Sequence, residues 1–177
     1  MVSLPSVRVL RVGHRFVRDD RTLTHLCLTS RALGAEAIYL EEVEPDIARS
    51  ISRVNATWGG DFQVIEEKSW RDVIRKAKKE ARTVVHLTMY GVPIQEKVSE
   101  LRKSKKLLVV VGGPKVPREV YFAADYNIAV TSQPHSETAA LAIALHEIQN
   151  GEELKKDFGK STLRIIPKDR GKRVIRS

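Results

Sequence analysis

Lys106–Glu137 reads KLLVVVGGPKVPREVYFAADYNIAVTSQPHSE, and the fold is decided there. Leu107–Val111 is a short, strongly apolar run of strand length, and it stops at Gly112-Gly113-Pro114. A helix-sized segment, Pro117–Ala123, follows. A second short run, Tyr126–Val130, opens into the polar loop Thr131-Ser132-Gln133-Pro134-His135. Ser136–Gln149 then reads as a helix with AALAIAL at its heart, capped by Ser136 and stopped by Gly151. Two buried strands each end in a small-residue or polar loop that leads to a helix. In α/β sheets, ligands sit beyond the carboxyl ends of the strands, so these loops are the candidate site.

The pattern extends towards the N-terminus. Val7–Val12, Ala37–Leu40, Phe62–Ile65 and Thr83–Thr88 read as earlier strands, with Met89-Tyr90-Gly91 leaving the last as a loop. Helical segments separate them: Arg21–Leu33 with Asp20 as cap, Pro45–Thr57, Trp70–Arg82 and Pro93–Ser104. At helical period, Leu23, Leu26, Cys27, Ser30 and Leu33 share the face of Arg21–Leu33 that would bury on a sheet. Arg21, Thr24, His25, Leu28 and Arg31 share the opposite one. Beyond Gly151, Thr162–Ile166 is a last extended piece in a basic tail that begins near residue 159. Alternating strands and helices predict an α/β fold, a mainly parallel sheet with helices on both faces. The length of 177 residues fits one domain over the whole chain. The last helix is apolar nearly all round, which predicts deep burial, with a subunit interface as a natural place for it.

Composition narrows the classes. Hydrophobic residues make up 42% and charged residues 30%, enough for a core and a solvated surface, so disorder is excluded. The single Cys27 rules out an intrachain disulfide and a cysteine-rich zinc site, and no metal is expected. No apolar run approaches a membrane span, and Arg8 and Arg11 make the N-terminus a poor signal peptide, so a cytoplasmic protein is expected. The formal charge is +9 and the isoelectric point about 9.8, which favours a polyanionic partner. The excess lies at the two ends. Arg8, Arg11, Arg15, Arg18, Arg21 and Arg31 oppose only Asp19 and Asp20, and Lys160, Arg164, Lys168, Arg170, Lys172, Arg173 and Arg176 oppose only Asp169.

The common catalytic motifs are missing: there is no G-x-G-x-x-G after the first strand, no P-loop, no H-E-x-x-H and no G-x-S-x-G. What remains is three late strand ends, Leu87–Gly91, Gly112–Pro117 and Val130–Ser136. Gly112 and Gly113 permit positive φ and close approach of a ligand, but a tight turn without a ligand explains them equally well. The amides at Ser136 could hold a carboxylate or phosphate. His135 alone reads more simply as a structural hydrogen-bonding group.

Several long segments resemble one family. Gly112-Gly113-Pro114-Lys115-Val116-Pro117, Ala124-Asp125-Tyr126-Asn127, Gln133-Pro134-His135-Ser136-Glu137 and Ala139-Ala140-Leu141 resemble the later motifs of the archaeal tRNA cytidine-56 2′-O-methyltransferases of the SPOUT superfamily. Leu10-Arg11-Val12-Gly13-His14-Arg15, Arg18-Asp19, Arg21, Thr24-His25 and Arg31-Ala32-Leu33-Gly34-Ala35 resemble their first motif. The resemblance covers nearly the whole chain, in order. It implies a six-stranded, mainly parallel sheet with a C-terminal trefoil knot, which nothing in composition or period predicts.

It also implies S-adenosyl-L-methionine as cofactor, tRNA as substrate and a homodimer. The family's cofactor segments fall on Leu87, on Gly112, Gly113, Pro114, Lys115 and Val116, and on Val130, Thr131, Ser132, Gln133, Pro134, His135, Ser136 and Glu137. SPOUT ribose methyltransferases place an Arg six residues after an Asn in the first helix. Here His25 stands where that Asn would be and Arg31 where the Arg would be. Arg31 is therefore expected to bind the adjacent phosphate and stabilise the alkoxide, while His25 or His135 takes the proton. Without the resemblance, Arg31 reads as a surface charge at a helix end. Arg8, Arg15, Arg18, Arg21 and the basic tail are the expected tRNA backbone contacts. Two rivals stand beside this reading: a basic α/β RNA-binding module without catalysis, and a SPOUT methyltransferase acting on another RNA site or on a base.

Overall fold

The computed structural model describes residues 4–13, 20–113 and 115–176. Six strands form one sheet: β1 (Ser6–Val12), β2 (Ala37–Leu40), β3 (Gln63–Glu66), β4 (Thr83–Pro93), β5 (Lys106–Gly112) and β6 (Tyr126–Ala129). Their order is β3-β2-β1-β5-β4-β6, and every pairing is parallel. Leu107–Val111 is buried at every position, as a strand covered on both faces must be. Each such side chain contributes about 1.5–3 kcal/mol by leaving water.

Helices cover both faces. On one lie α1 (Asp20–Ala32), α2 (Pro45–Trp58), α4 (Ile94–Leu101) and α6 (Glu137–Gln149), whose Leu26, Ile47, Ile94 and Leu141 join one apolar cluster. On the other lie α3 (Trp70–Lys79) and α5 (Arg118–Ala123), which bury Trp70, Val73, Ile74 and Val120. The Ser136 hydroxyl caps α6 by accepting from the amide of Ala139 at 3.1 Å. The face of α6 carrying Leu141, Ala144, Leu145 and Ile148 is buried, while Ile143 is half exposed. No helix among the described residues is long and apolar enough to cross a membrane.

Four expectations change. β4 does not end at Thr88. Its pairing with β6 moves from Leu87 opposite Ile128 to Val92 opposite Ile128, so the residues between are extruded as a bulge and Met89-Tyr90-Gly91 belongs to the strand. A Cβ on Gly91 would lie 2.6 Å from backbone atoms of Asn127 and Ile128, so only glycine allows this closeness. Asp20 is the first residue of α1 rather than its cap. Helix α3 stops at Lys79, because Ala81 turns left-handed at φ 54°. The basic tail is a hairpin: β7 (Leu163–Ile166) pairs antiparallel with β8 (Arg173–Arg176), and Thr162 ties it to α2 by donating its amide to the Thr57 carbonyl at 3.1 Å.

Candidate active site

A pocket of about 650 Å³ opens at the carboxyl ends of β1, β4 and β5 and the start of α6. Strand β5 lies between β1 and β4, so this is where chain connections diverge in the sheet. Leu87, Gly112, Gly113, Val116, Pro134, His135, Ser136 and Glu137 line it, eight of the expected cofactor residues. Lys115, Val130, Thr131, Ser132 and Gln133 flank these segments but do not line it. Pro114 lies outside the described residues. Gly112 and Gly113 do not adopt positive φ. Gly112 is required by closeness instead, since a Cβ there would run into the Val116 side chain.

Sequence reasoning missed several lining residues, chiefly Arg11, Thr22, His86 and Tyr121. Arg11 reads as one cation among many, yet it is buried. It donates through Nη1 to the Gly13 carbonyl at 2.7 Å and pairs through Nε with Glu137 Oε1 at 3.3 Å. Arg11 and His86 break the apolar runs of two central strands, and that interruption is the signal that could have found them. The second carboxylate oxygen of Glu137 is buried with no partner among the described residues.

His135 is exposed at the rim and donates from Nδ1 to the Gln133 carbonyl at 2.6 Å, which leaves Nε2 as an acceptor. His25 is exposed on α1, one turn beyond Thr22. Arg31 is elsewhere. It lies nine residues after Thr22 on the same helix, roughly 14 Å along the axis. It is not the surface charge that its bare sequence context suggests. It is 7% exposed, donates from Nε to Asn55 at 2.8 Å and from Nη2 to the Gly59 carbonyl, and stacks on Phe158 at 4.9 Å. Burial draws its pKa downward.

The expected RNA contacts separate in the same way. Arg8 sits at the far end of β1, bound to Glu80 and the Tyr39 hydroxyl at 3.1 Å each, which counts against a phosphate contact there. Arg21 is exposed at the start of α1. Arg15 and Arg18 lie outside the described residues.

The family model described as tRNA ribose 2′-O-methyltransferase, aTrm56, matches residues 58–175. The chain belongs to this family. The aTrm56 match takes in the pocket segments of β4, β5 and α6, while Arg11, His25 and Arg31 precede it. A relative that spans both parts is the tRNA (cytidine(56)-2′-O)-methyltransferase of Nitrosopumilus maritimus (strain SCM1). It is 48% identical over 168 residues, 95% of each chain. Among solved structures, an RNA 2′-O ribose methyltransferase superposes with a TM-score of 0.62 at 16% identity, covering 85% of this chain and 58% of that one. The SpoU methyltransferase AviRb from Streptomyces viridochromogenes, in complex with the cofactor AdoMet, gives 0.60 at 12% identity over 86% and 60%. The chain thus spans under two thirds of those two, and the likeness is one of fold. The pocket of this aTrm56 member thus lies on an α/β sheet of the same fold as those two structures.

Proposed function

We infer that this protein methylates the 2′-oxygen of cytidine 56 in tRNA, with S-adenosyl-L-methionine as methyl donor. The observation that carries this is the 48% identity over 95% of both chains to an enzyme of that name. The pocket suits the cofactor. Its volume of about 650 Å³ lies in the range of small-molecule sites, and two buried acceptors, His86 Nε2 and Glu137 Oε2, have no donor among the described residues. Leu87, Gly112, Gly113, Val116 and Pro134–Glu137 would hold it. When bound, the cofactor supplies an electrophilic methyl group.

The chain's own groups must align the ribose and take its proton. His135, at the rim with Nε2 open, is the acceptor that fits within one protomer. Arg31 fits the reading as a group lent to the pocket of a second copy, which makes the homodimer part of the proposal. Its Nη1 makes no hydrogen bond among the described residues and is the nitrogen left for a phosphate or alkoxide. Exposed Ile143, Tyr90 and Phe122 are apolar surface that a second copy could cover. The trefoil knot belongs to the same reading. It is supported by β6 lying outside β4 while α6 returns to pack on α1 and β5. The unit is one domain, placed in the cytoplasm with its tRNA.

Incubation with unmodified tRNA and S-adenosyl-L-methionine, followed by nucleoside mapping, tests the assignment. A single 2′-O-methylcytidine at position 56 is expected. A mark on a base, or at another nucleotide, overturns it.

A further inference from the structure

We propose that His86 selects the cofactor's adenine by accepting a hydrogen bond from its exocyclic amine at Nε2. The inference rests on the reading of the pocket as an S-adenosyl-L-methionine site. His86 lies in the middle of β4, opposite Val110 of β5 and Asn127 of β6, and is 1% exposed. A side chain held between two neighbouring strands has little freedom to move.

The surrounding hydrogen bonds decide which ring nitrogen carries the proton. Asn127 Nδ2 donates to the Tyr121 carbonyl at 2.8 Å, so the amide oxygen of Asn127 is the atom that faces the ring. That oxygen lies 2.8 Å from His86 Nδ1. An amide oxygen only accepts, so Nδ1 must donate. Burial favours the uncharged ring and lowers its pKa. Neutral, with the proton on Nδ1, His86 presents Nε2 as a bare lone pair. The edge-to-face contact with Tyr121, 4.7 Å between centroids at 89°, fixes the plane of the ring.

His86 lines the pocket, and its Nε2 is buried with no donor among the described residues. Beside an open pocket, such an acceptor is available to a ligand's donor. Three donors on the cofactor could do it. The ammonium is better matched by Glu137 Oε2, a carboxylate oxygen that is also buried and unpartnered. On His86's face of the sheet stand the Tyr121 ring and Val116, a flat and apolar surface that suits the base more than a ribose edge rich in hydroxyls. A role as proton acceptor in the reaction does not fit, since burial penalises the charged ring.

Calorimetry with S-adenosyl-L-homocysteine, and with the same thioether carrying purine in place of adenine, tests this. The wild-type protein is expected to bind the purine compound about tenfold more weakly, the size of one buried hydrogen bond. His86→Phe is expected to bind the two alike. Nitrogen NMR of the labelled imidazole in the unaltered protein needs no variant. Nε2 should shift upfield with S-adenosyl-L-homocysteine and stay put with the purine compound, while Nδ1 stays put with both. A His86→Phe protein that still prefers adenine tenfold, or an Nε2 signal indifferent to the amine, overturns the proposal and leaves the cofactor reading standing. Failure of the wild-type protein to bind S-adenosyl-L-homocysteine overturns both.

Discussion

Arg31 holds the junction of α1, α2 and the segment before the hairpin, through Asn55, the Gly59 carbonyl and the Phe158 ring. Its removal takes the donor from the buried Gly59 carbonyl and from the half-buried Asn55 amide oxygen. Arg31→Ala is therefore expected to lower unfolding free energy by about 2–4 kcal/mol in urea titrations. If Arg31 also serves the ribose, turnover should vanish under conditions where the variant is still folded and still binds tRNA. A folded variant that turns over at the wild-type rate would end the catalytic role. Cys27 makes a contrasting case. Burial pushes its thiol from 9.0 up to about 12. The thiolate at pH 8 is then rarer by about three factors of ten, and alkylation of the native protein should be slower on the order of a thousandfold than that of the unfolded chain. A folded pKa above the unfolded one stabilises below pH 9, and that contribution is lost as pH rises through 12. Cys27→Ala should flatten this alkaline decline. His25 and Arg31 were legible as a pair only through the family resemblance, because at helical spacing a cation on α1 looks like any solvated charge.

Strand β4 shows what an element can hide. Thr83–Thr88 has the apolar run of a strand, and the following Met-Tyr-Gly has no period that would extend it. The extension exists because β6 arrives alongside and pairs again after the bulge. Gly91→Ala places a methyl group within 2.6 Å of three backbone atoms that cannot rotate away. It should cost about 1–3 kcal/mol and weaken ligand binding, since Leu87, Thr88, Met89 and Tyr90 line the pocket. A variant with wild-type melting and affinity would show that the two strands can part freely. The hairpin of β7 and β8 was half visible. Leu163–Ile166 reads as extended, but Arg173–Arg176 reads as tail, because a strand so charged is recognised by its partner and not by its pattern.

Across the whole molecule, the proposed encounter with tRNA turns on charge. The protein carries +9, and its exposed hairpin presents Arg164, Lys168, Arg170, Lys172, Arg173 and Arg176. Affinity for tRNA should fall steeply with salt, with a slope in a log–log plot near the number of phosphates neutralised. A slope near zero would remove the phosphate contacts. Arg8→Ala should leave the slope unchanged, since Arg8 is bound to Glu80 at the other end of the sheet. By itself the sequence determined the alternation of strands and helices, the two-sided burial of Leu107–Val111 and the position of the late loops, because these depend on local apolar runs and on residues that end them. The tertiary structure alone decided the strand order, the bulge in β4, the burial of Arg11 beside Glu137 and the proton on His86 Nδ1. Each of these depends on groups far apart in the chain, and no local pattern records which of them will meet.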